Sequence, residues 1–329
     1  MFAEKGSGSK AVLFYGHMDT VPLYGSWKTN PLRLTERGDR LYGLGTHDMK
    51  GGMAAALEST ADSGRHVKLL FCVDEENISE GAWAAVKNSR DWFRDVKVIV
   101  TGEAGVTDEN EGGIGIATLG RRGRCVITIE VHGISSHGAE PERGLSAIEQ
   151  AAKICLGIKR ISTRTHGRLG RESIFVREIH SSSTSLSVPD TAALDLDIHL
   201  VPPSTIDDAR KRVEGYVRSM ALNGTLDRRA AVTVYVKKRP TPYLEPYMTD
   251  IRNAHVSKIM ALQRRISGRD IEFSYGRSVA DENVFANALG IPNVTIGPRG
   301  GNEHTANEWV SKRSLGQIAT LFREIAENV

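Results

Sequence analysis

No run in this sequence approaches the roughly 18 consecutive apolar residues of a membrane-spanning helix, so no transmembrane anchor is expected. The opening residues Met1-Phe2-Ala3-Glu4-Lys5-Gly6 lack the basic, apolar and small-residue order of a secretory signal. Surplus charge is also missing: 43 basic residues nearly balance 40 acidic ones, for a net charge of +3. The basic runs Arg121-Arg122 and Arg210-Lys211-Arg212 are short and read as solvated faces, so no nucleic-acid partner is expected. Cysteine is scarce, with three residues at 72, 125 and 155. They are too scattered for a thiolate zinc cluster. Buried reduced thiols in a cytoplasmic protein are the expectation. Repeats and low-complexity tracts are absent.

What is present is an ordinary globular mix, 40% hydrophobic and 25% charged over 329 residues. That length predicts two domains. Short apolar runs at 11–15, 67–73 and 96–100 read as strands covered on both faces. Helical patterns lie between them, from Gly52 to about Ala61 and from Gly81 to about Lys87. This alternation predicts an α/β layer with a mainly parallel sheet. Ligand-type residues follow each strand, where open α/β sheets place their sites.

The pattern changes near residue 121. Cys125 to Val131 alternates apolar and polar residues, as does Leu194 to Leu200 through Asp195, Asp197 and His199. Both predict strands with one solvated face. Helices are expected from about Leu145 to Ile158 and from Ser204, a predicted cap, to about Met220. A weaker strand at Ile174–Ile179 and a last one at Ala231–Val236 complete a small α+β module over 121–239. The α/β style then returns over 240–329. The module therefore reads as an insertion into a discontinuous domain, 1–120 with 240–329. Gly112-Gly113-Ile114-Gly115 has no preceding strand and no Lys-Ser/Thr pair, so it is not a phosphate loop.

The chemistry lies in a set of residues. His17 and Asp19 end the first strand, and Asp48 precedes a helix. Glu75 and Glu76 end the second strand, Glu103 ends the third, and His304 lies near the end of the chain. Carboxylates with imidazoles suit Zn²⁺, Co²⁺ or Mn²⁺. A bridging carboxylate lets two ions sit about 3.5–4 Å apart and share a hydroxide.

Seven motifs run in order along the chain: Gly16-His17-Met18-Asp19-Thr20-Val21-Pro22, Asp48-Met49-Lys50-Gly51-Gly52, Asp74-Glu75-Glu76, Gly102-Glu103, Gly133 through His137 to Pro141, Asp281-Glu282-Asn283, and Gly297-Pro298 on to His304. In this series the sequence resembles the metallopeptidase and deacylase family of acetylornithine deacetylase, succinyl-diaminopimelate desuccinylase, aminoacylase and bacterial glutamate carboxypeptidase. The resemblance implies a zinc-exopeptidase-like catalytic domain with an inserted lid and dimerisation domain. It implies that His17, Asp48 and Glu103 hold one ion, and that Asp48, Glu76 and His304 hold the other. Glu75 would be the general base, and Asp19 would orient His17. His137 would cross into the partner's site of a homodimer and stabilise the oxyanion. Zinc is the leading ion, with cobalt or manganese as alternatives.

The resemblance further implies cleavage of an amide in a small N-acyl-amino acid, with a di- or aminopeptidase as the alternative within the family. A non-catalytic binding relative with an incomplete site is the alternative outside that chemistry. Arg277 and Arg299 are candidate grips for a substrate carboxylate, with Asn283 a third substrate-binding candidate. His47 reads as structural or lining, and His132 and His199 as sheet residues. Two departures stand out. Only sixteen residues precede His17, so covering N-terminal helices and an edge strand are expected to be missing. His199 follows Ile198 where relatives commonly have Arg, and 185–188 lacks an Asn that many carry.

Overall fold

The computed structural model describes residues 1–105, 112–181 and 186–329. The chain forms two compact units, Met1–Arg121 with Tyr247–Val329, and Arg122–Pro246.

The first arm of the larger unit holds β1 (Phe2–Lys5), β2 (Ala11–His17), β3 (Thr35–Arg37), β4 (Arg40–Tyr42), α1 (Gly51–Thr60), β5 (Val67–Cys72), α2 (Glu80–Asn88), β6 (Val96–Thr101) and β7 (Ile116–Arg121). The smaller unit holds β8 (Gly123–His132), α3 (Ala147–Gly157), the short pair β9 (Thr165–His166) and β10 (Gly170–Arg171), β11 (Ser173–His180), β12 (Thr191–Leu200), α4 (Ile206–Leu222) and β13 (Ala231–Val236). The second arm returns with β14 (Tyr247–Met248), α5 (Ala254–Ser267), β15 (Glu272–Gly276), α6 (Glu282–Leu289), β16 (Asn293–Thr295), β17 (Gly300–Gly301), β18 (Trp309–Ser311) and α7 (Lys312–Asn328).

The main sheet runs β1-β5-β2-β6-β16-β7-β14, with β15 also on β7. Strands β5, β2, β6 and β16 are parallel neighbours. Every residue of β2 and β5 is buried, which is why these strands read as continuous apolar runs. One face packs Phe14, Leu69 and Val100 against α1, α5 and α7, with Phe14 5.1 Å from Phe322 by ring centroid. The other face carries Tyr15, whose ring lies 5.0 Å from Phe285 of α6. Both faces are therefore covered. An edge strand is also present, contrary to expectation: Phe2–Lys5 pairs antiparallel with β5. Its four exposed residues carry no apolar periodicity for a sequence reading to catch.

The smaller unit is a four-stranded antiparallel sheet, β11-β12-β8-β13, with α3 and α4 packed on its apolar face. Its end lies at Pro246 rather than 239. The Arg124 amide donates to the Leu244 carbonyl at 2.8 Å, and Arg239 stacks on Tyr243, so the Pro-rich stretch belongs to this unit. Two local expectations need correction. The cap of α4 is Thr205, which forms a reciprocal capping box with Asp208, whereas the Ser204 hydroxyl accepts from Arg212. The polar side of the sheet is also not solvated at its centre. Asp195 and Asp197 are buried. The Arg124 guanidinium chelates Asp197, its Nε donating at 3.0 and 3.1 Å, while Lys237 pairs with Asp195. Alternating charge can thus mark an internal ion lattice as well as a wet face. Cys72 and Cys125 are buried and all three thiols are free, as expected. Among the described residues no helix is long and apolar enough to cross a membrane.

Candidate metal centre

Parallel pairing dictates where the candidate ligands meet. His17 is in register with Cys72, so Glu75 and Glu76 follow β5 at the same edge that His17 reaches on β2. Tyr15 is in register with Thr101, so Glu103 emerges beside them from β6. Three carboxyl strand ends converge in this way on one crevice. Asp48 arrives from the loop ahead of α1. Close backbone approach explains the glycine that follows: a Cβ on Gly52 would lie 1.8 Å from the Gly102 carbonyl oxygen. Gly297 is equally confined, with a Cβ position 2.3 Å from the Glu103 carbonyl carbon.

Asp48 divides its two oxygens. Oδ1 lies 3.0 Å from His17 Nε2, and Oδ2 lies 3.0 Å from His304 Nε2. Glu76 Oε2 is 3.2 Å from the same His304 nitrogen. The second nitrogen of His17 faces Asp19, 3.2 Å from its carbonyl oxygen and 3.5 Å from its carboxylate. Asp19 in turn accepts from the Glu76 amide at 3.2 Å. Two donor groups result, Asp48 with Glu76 and His304, and His17 with Glu75 and Glu76.

Charge at this centre is strongly perturbed. Burial alone would lower His17, but its bonds to Asp19 and Asp48 carry its pKa up to about 12. Bonds to Asp48 and Glu76 raise His304 to about 11. Burial works against Asp48, yet the two imidazoles hold it well below the carboxylate range. Burial, reinforced by Asp281 and Glu103, pushes Glu75 far up. Burial raises Glu103 to about 7 against the pull of Arg121. Acids pushed up beside imidazoles that keep their protons mark a donor set with surplus negative charge. Hard carboxylates, borderline imidazoles and a carboxylate shared between two sides fit divalent ions.

Glu103 is a member of neither group. Its Oε1 accepts from Arg121 Nη2 at 3.0 Å, and Arg121 also reaches Glu282 at 3.4 Å. The expectation of a solvated Arg121 is therefore wrong. The side chain is buried at the end of β7, ion-paired with two acids. Arg212 is half-buried and ion-paired with the buried Glu172. Beside this pair, Tyr15 donates to Asp281, and Thr295 donates to Glu282 at 2.6 Å.

The remaining candidates fall elsewhere. His137 lies in the smaller unit, exposed in the loop after β8, where its Nδ1 accepts from the Ala139 amide. Arg277 and Arg299 are exposed, after β15 and β16 respectively. Asn283 is buried in the first turn of α6 with its side-chain oxygen on the Ala280 amide. His47 is buried, 3.1 Å from Glu303, with its ring against Gly300. Within 185–188, Ser185 lies outside the described residues. Sequence reasoning missed Arg121 and Glu308. The only signal for Glu308 was its place four residues after His304.

The comparisons agree with this architecture. The model described as peptidase family M20/M25/M40 matches residues 13–328. The chain is 25% identical over 332 residues to a succinyl-diaminopimelate desuccinylase of Sulfurovum sp., covering 98% of this chain and 84% of that protein. It is 30% identical over 195 residues to an acetylornithine deacetylase of Aliivibrio fischeri, covering 57% of this chain and 46% of that one. Its fold is similar to that of aminopeptidase PepT from Bacillus cereus, with a TM-score of 0.75 at 19% identity, covering 99% of this chain and 83% of the other. With the shared carboxylate, the two donor groups and this match, the chain belongs to peptidase family M20/M25/M40 and is a di-metal amidohydrolase or metallopeptidase.

Proposed function

We propose that this chain removes an acyl group from a small N-acyl-amino acid by metal-assisted hydrolysis of its amide. The observation that carries the reading is the division of Asp48 between His17 and His304, with Glu75 half-buried in the same crevice and grouped with His17. His17, Asp48 and Glu103 would hold one ion, for which Glu103 shares its carboxylate with Arg121. Asp48, Glu76 and His304 would hold the other. Zinc is the preferred occupant, and cobalt or manganese satisfies the same donors. Bound divalent ions acidify water and polarise a carbonyl.

The protein's own groups do the rest. Glu75 takes the proton of the attacking water and returns it to the leaving nitrogen. Asp19 fixes the ring of His17. Arg277 or Arg299 grips the substrate carboxylate, for which a planar guanidinium offers two parallel donors. His137 serves the active site of a second copy by stabilising the developing oxyanion, which makes a lid-linked homodimer the working form in the cytoplasm.

Metal content tests the ligand set. Glu76→Ala is expected to lose metal, and Glu75→Ala to keep metal and lose turnover; equal metal in wild type and Glu76→Ala sinks the assignment. A panel of N-acetyl- and N-succinyl-amino acids beside dipeptides, with added Zn²⁺ or Co²⁺, decides between deacylase and peptidase. Mixing inactive His137→Ala with inactive Glu75→Ala tests the shared site. Random exchange of subunits restores about a quarter of wild-type activity if the His crosses over, because half the dimers are hybrid with one complete site each. No recovery on mixing removes the His137 role.

A further inference from the structure

We infer that Glu308 is a positioning residue that locks the loop of Asp48 to the loop of His304 and so sets the metal affinity of the centre. The inference rests on the reading that Asp48 and His304 hold an ion together. The Glu308 carboxylate is buried and acts on the backbone of the Asp48 loop. It is filled by three backbone amides of the Asp48 loop. Gly45 donates to Oε2 at 2.6 Å, while His47 and Asp48 donate to Oε1 at 2.7 and 3.0 Å. Gly45 adopts a φ of 75°, which turns its amide into this nest.

Both ends of the connection are built. The ladder between β18 and β4 pairs Trp309 with Tyr42, and the Gly43 amide donates to the Glu308 carbonyl. The loop that carries His304 is wound tightly, with Asn302, His304 and Asn307 at φ of 61°, 57° and 66°. Non-glycine residues hold such angles only where their surroundings over-determine them. Asn302 donates to the Asn307 carbonyl at 3.1 Å, and Asn307 accepts from the Lys28 amide at 2.7 Å. Glu308 ends this loop and anchors it to the amide of Asp48 itself. The ion pair of His47 with Glu303 is a second, more exposed strut between the same segments. One carboxylate thus fixes the separation of two ligands 256 residues apart in sequence.

Glu308→Gln isolates the role. The amide keeps the size of the side chain but turns one acceptor into a donor that faces backbone N–H groups. Metal affinity would be measured by competition with a chromophoric Zn²⁺ chelator, beside the melting temperature of the metal-free protein. The expected result is a metal affinity about 10–100-fold weaker, the usual effect of removing a group that orients a metal ligand. Phe322→Leu, a core change on α7, is the control. It should lower the melting temperature without moving metal affinity. If Glu308→Gln does not fold, Glu308→Asp retains the charge, loses reach, and should weaken affinity in the same direction. Wild-type affinity in a folded Glu308 variant, or an equal loss in Phe322→Leu, overturns the inference. Wild-type affinity in Glu308→Gln while Glu76→Ala loses metal removes this inference alone. Unchanged metal in Glu76→Ala removes the reading of the centre.

Discussion

Arg121→Met should expose how the charge beneath the metal centre is balanced. The guanidinium is buried and reaches Glu103 at 3.0 Å and Glu282 at 3.4 Å. Methionine fills the volume but leaves both acids without their cation. Breaking a buried pair by removing one partner costs about 3–5 kcal/mol. The penalty should also depend on pH. Glu103 titrates at about 7 with Arg121 in place, because burial raises it and the guanidinium pulls it down. Without the guanidinium its pKa rises further. Between pH 7 and the new value the folded variant holds a proton that folded wild type has released. Its stability relative to wild type therefore falls by up to about 1.4 kcal/mol per pH unit. Urea unfolding of chelator-treated protein, followed by tryptophan fluorescence at pH 7 and pH 8, reads both effects. In a thermal scan the variant should melt on the order of 10 °C below wild type. A destabilisation under about 1 kcal/mol at both pH values would refute the buried triad of Arg121, Glu103 and Glu282.

The metal-free protein should lose stability as pH rises from 5 to 8. Glu103 and Asp281 are raised to about 7 and about 6, largely by burial, so the folded chain holds protons that the unfolded chain has released. His304 and His17, raised to about 11 and about 12, act with the same sign above their ordinary value. Stability falls wherever the folded state binds more protons, and a melting temperature that climbs from pH 5 to pH 8 contradicts this. Added Zn²⁺ should raise the melting temperature more at pH 8 than at pH 5, because metal binding displaces those protons. In the smaller unit, Arg124→Ala leaves Asp197 buried without its chelating partner. It should cost about 1–3 kcal/mol in urea unfolding. A change within experimental error would mean that Arg177, 3.8 Å from Asp197, suffices alone.

The fold was legible where one physical demand dominates. Ala11–His17 and Val67–Cys72 are buried on both faces, so they are mostly apolar, and the run is visible without any partner even though Lys68 interrupts it by pairing with Asp95. The candidate ligands at strand ends were legible for a related reason. A carboxylate or imidazole straight after such a run has left the core at the edge where a parallel sheet opens. The hairpin of β3 and β4 was not legible. Thr35–Arg37 and Arg40–Tyr42 are short and half-exposed or exposed, and they derive their order from pairing with β18 near the far end of the chain. Edge strand β1 escaped for the same reason.

The illegible part of the site is its buried charge. Arg121 beside Arg122, and Glu308 ahead of Trp309, look like any surface residues, because nothing local distinguishes a charge that will be paired inside from one that will face water. The distinction is made by partners up to 263 residues away, Glu282 for Arg121 and the amides of Gly45 to Asp48 for Glu308. The candidate ligands declare themselves by motif because each must reach one small volume. The groups that hold ligands act on backbone or on other acids, where position is set by tertiary packing. A desolvated charge is costly unless it is paired. Among the described residues, Arg121 and Glu308 are buried charges with identifiable partners, and those partners lead directly to proposed metal ligands.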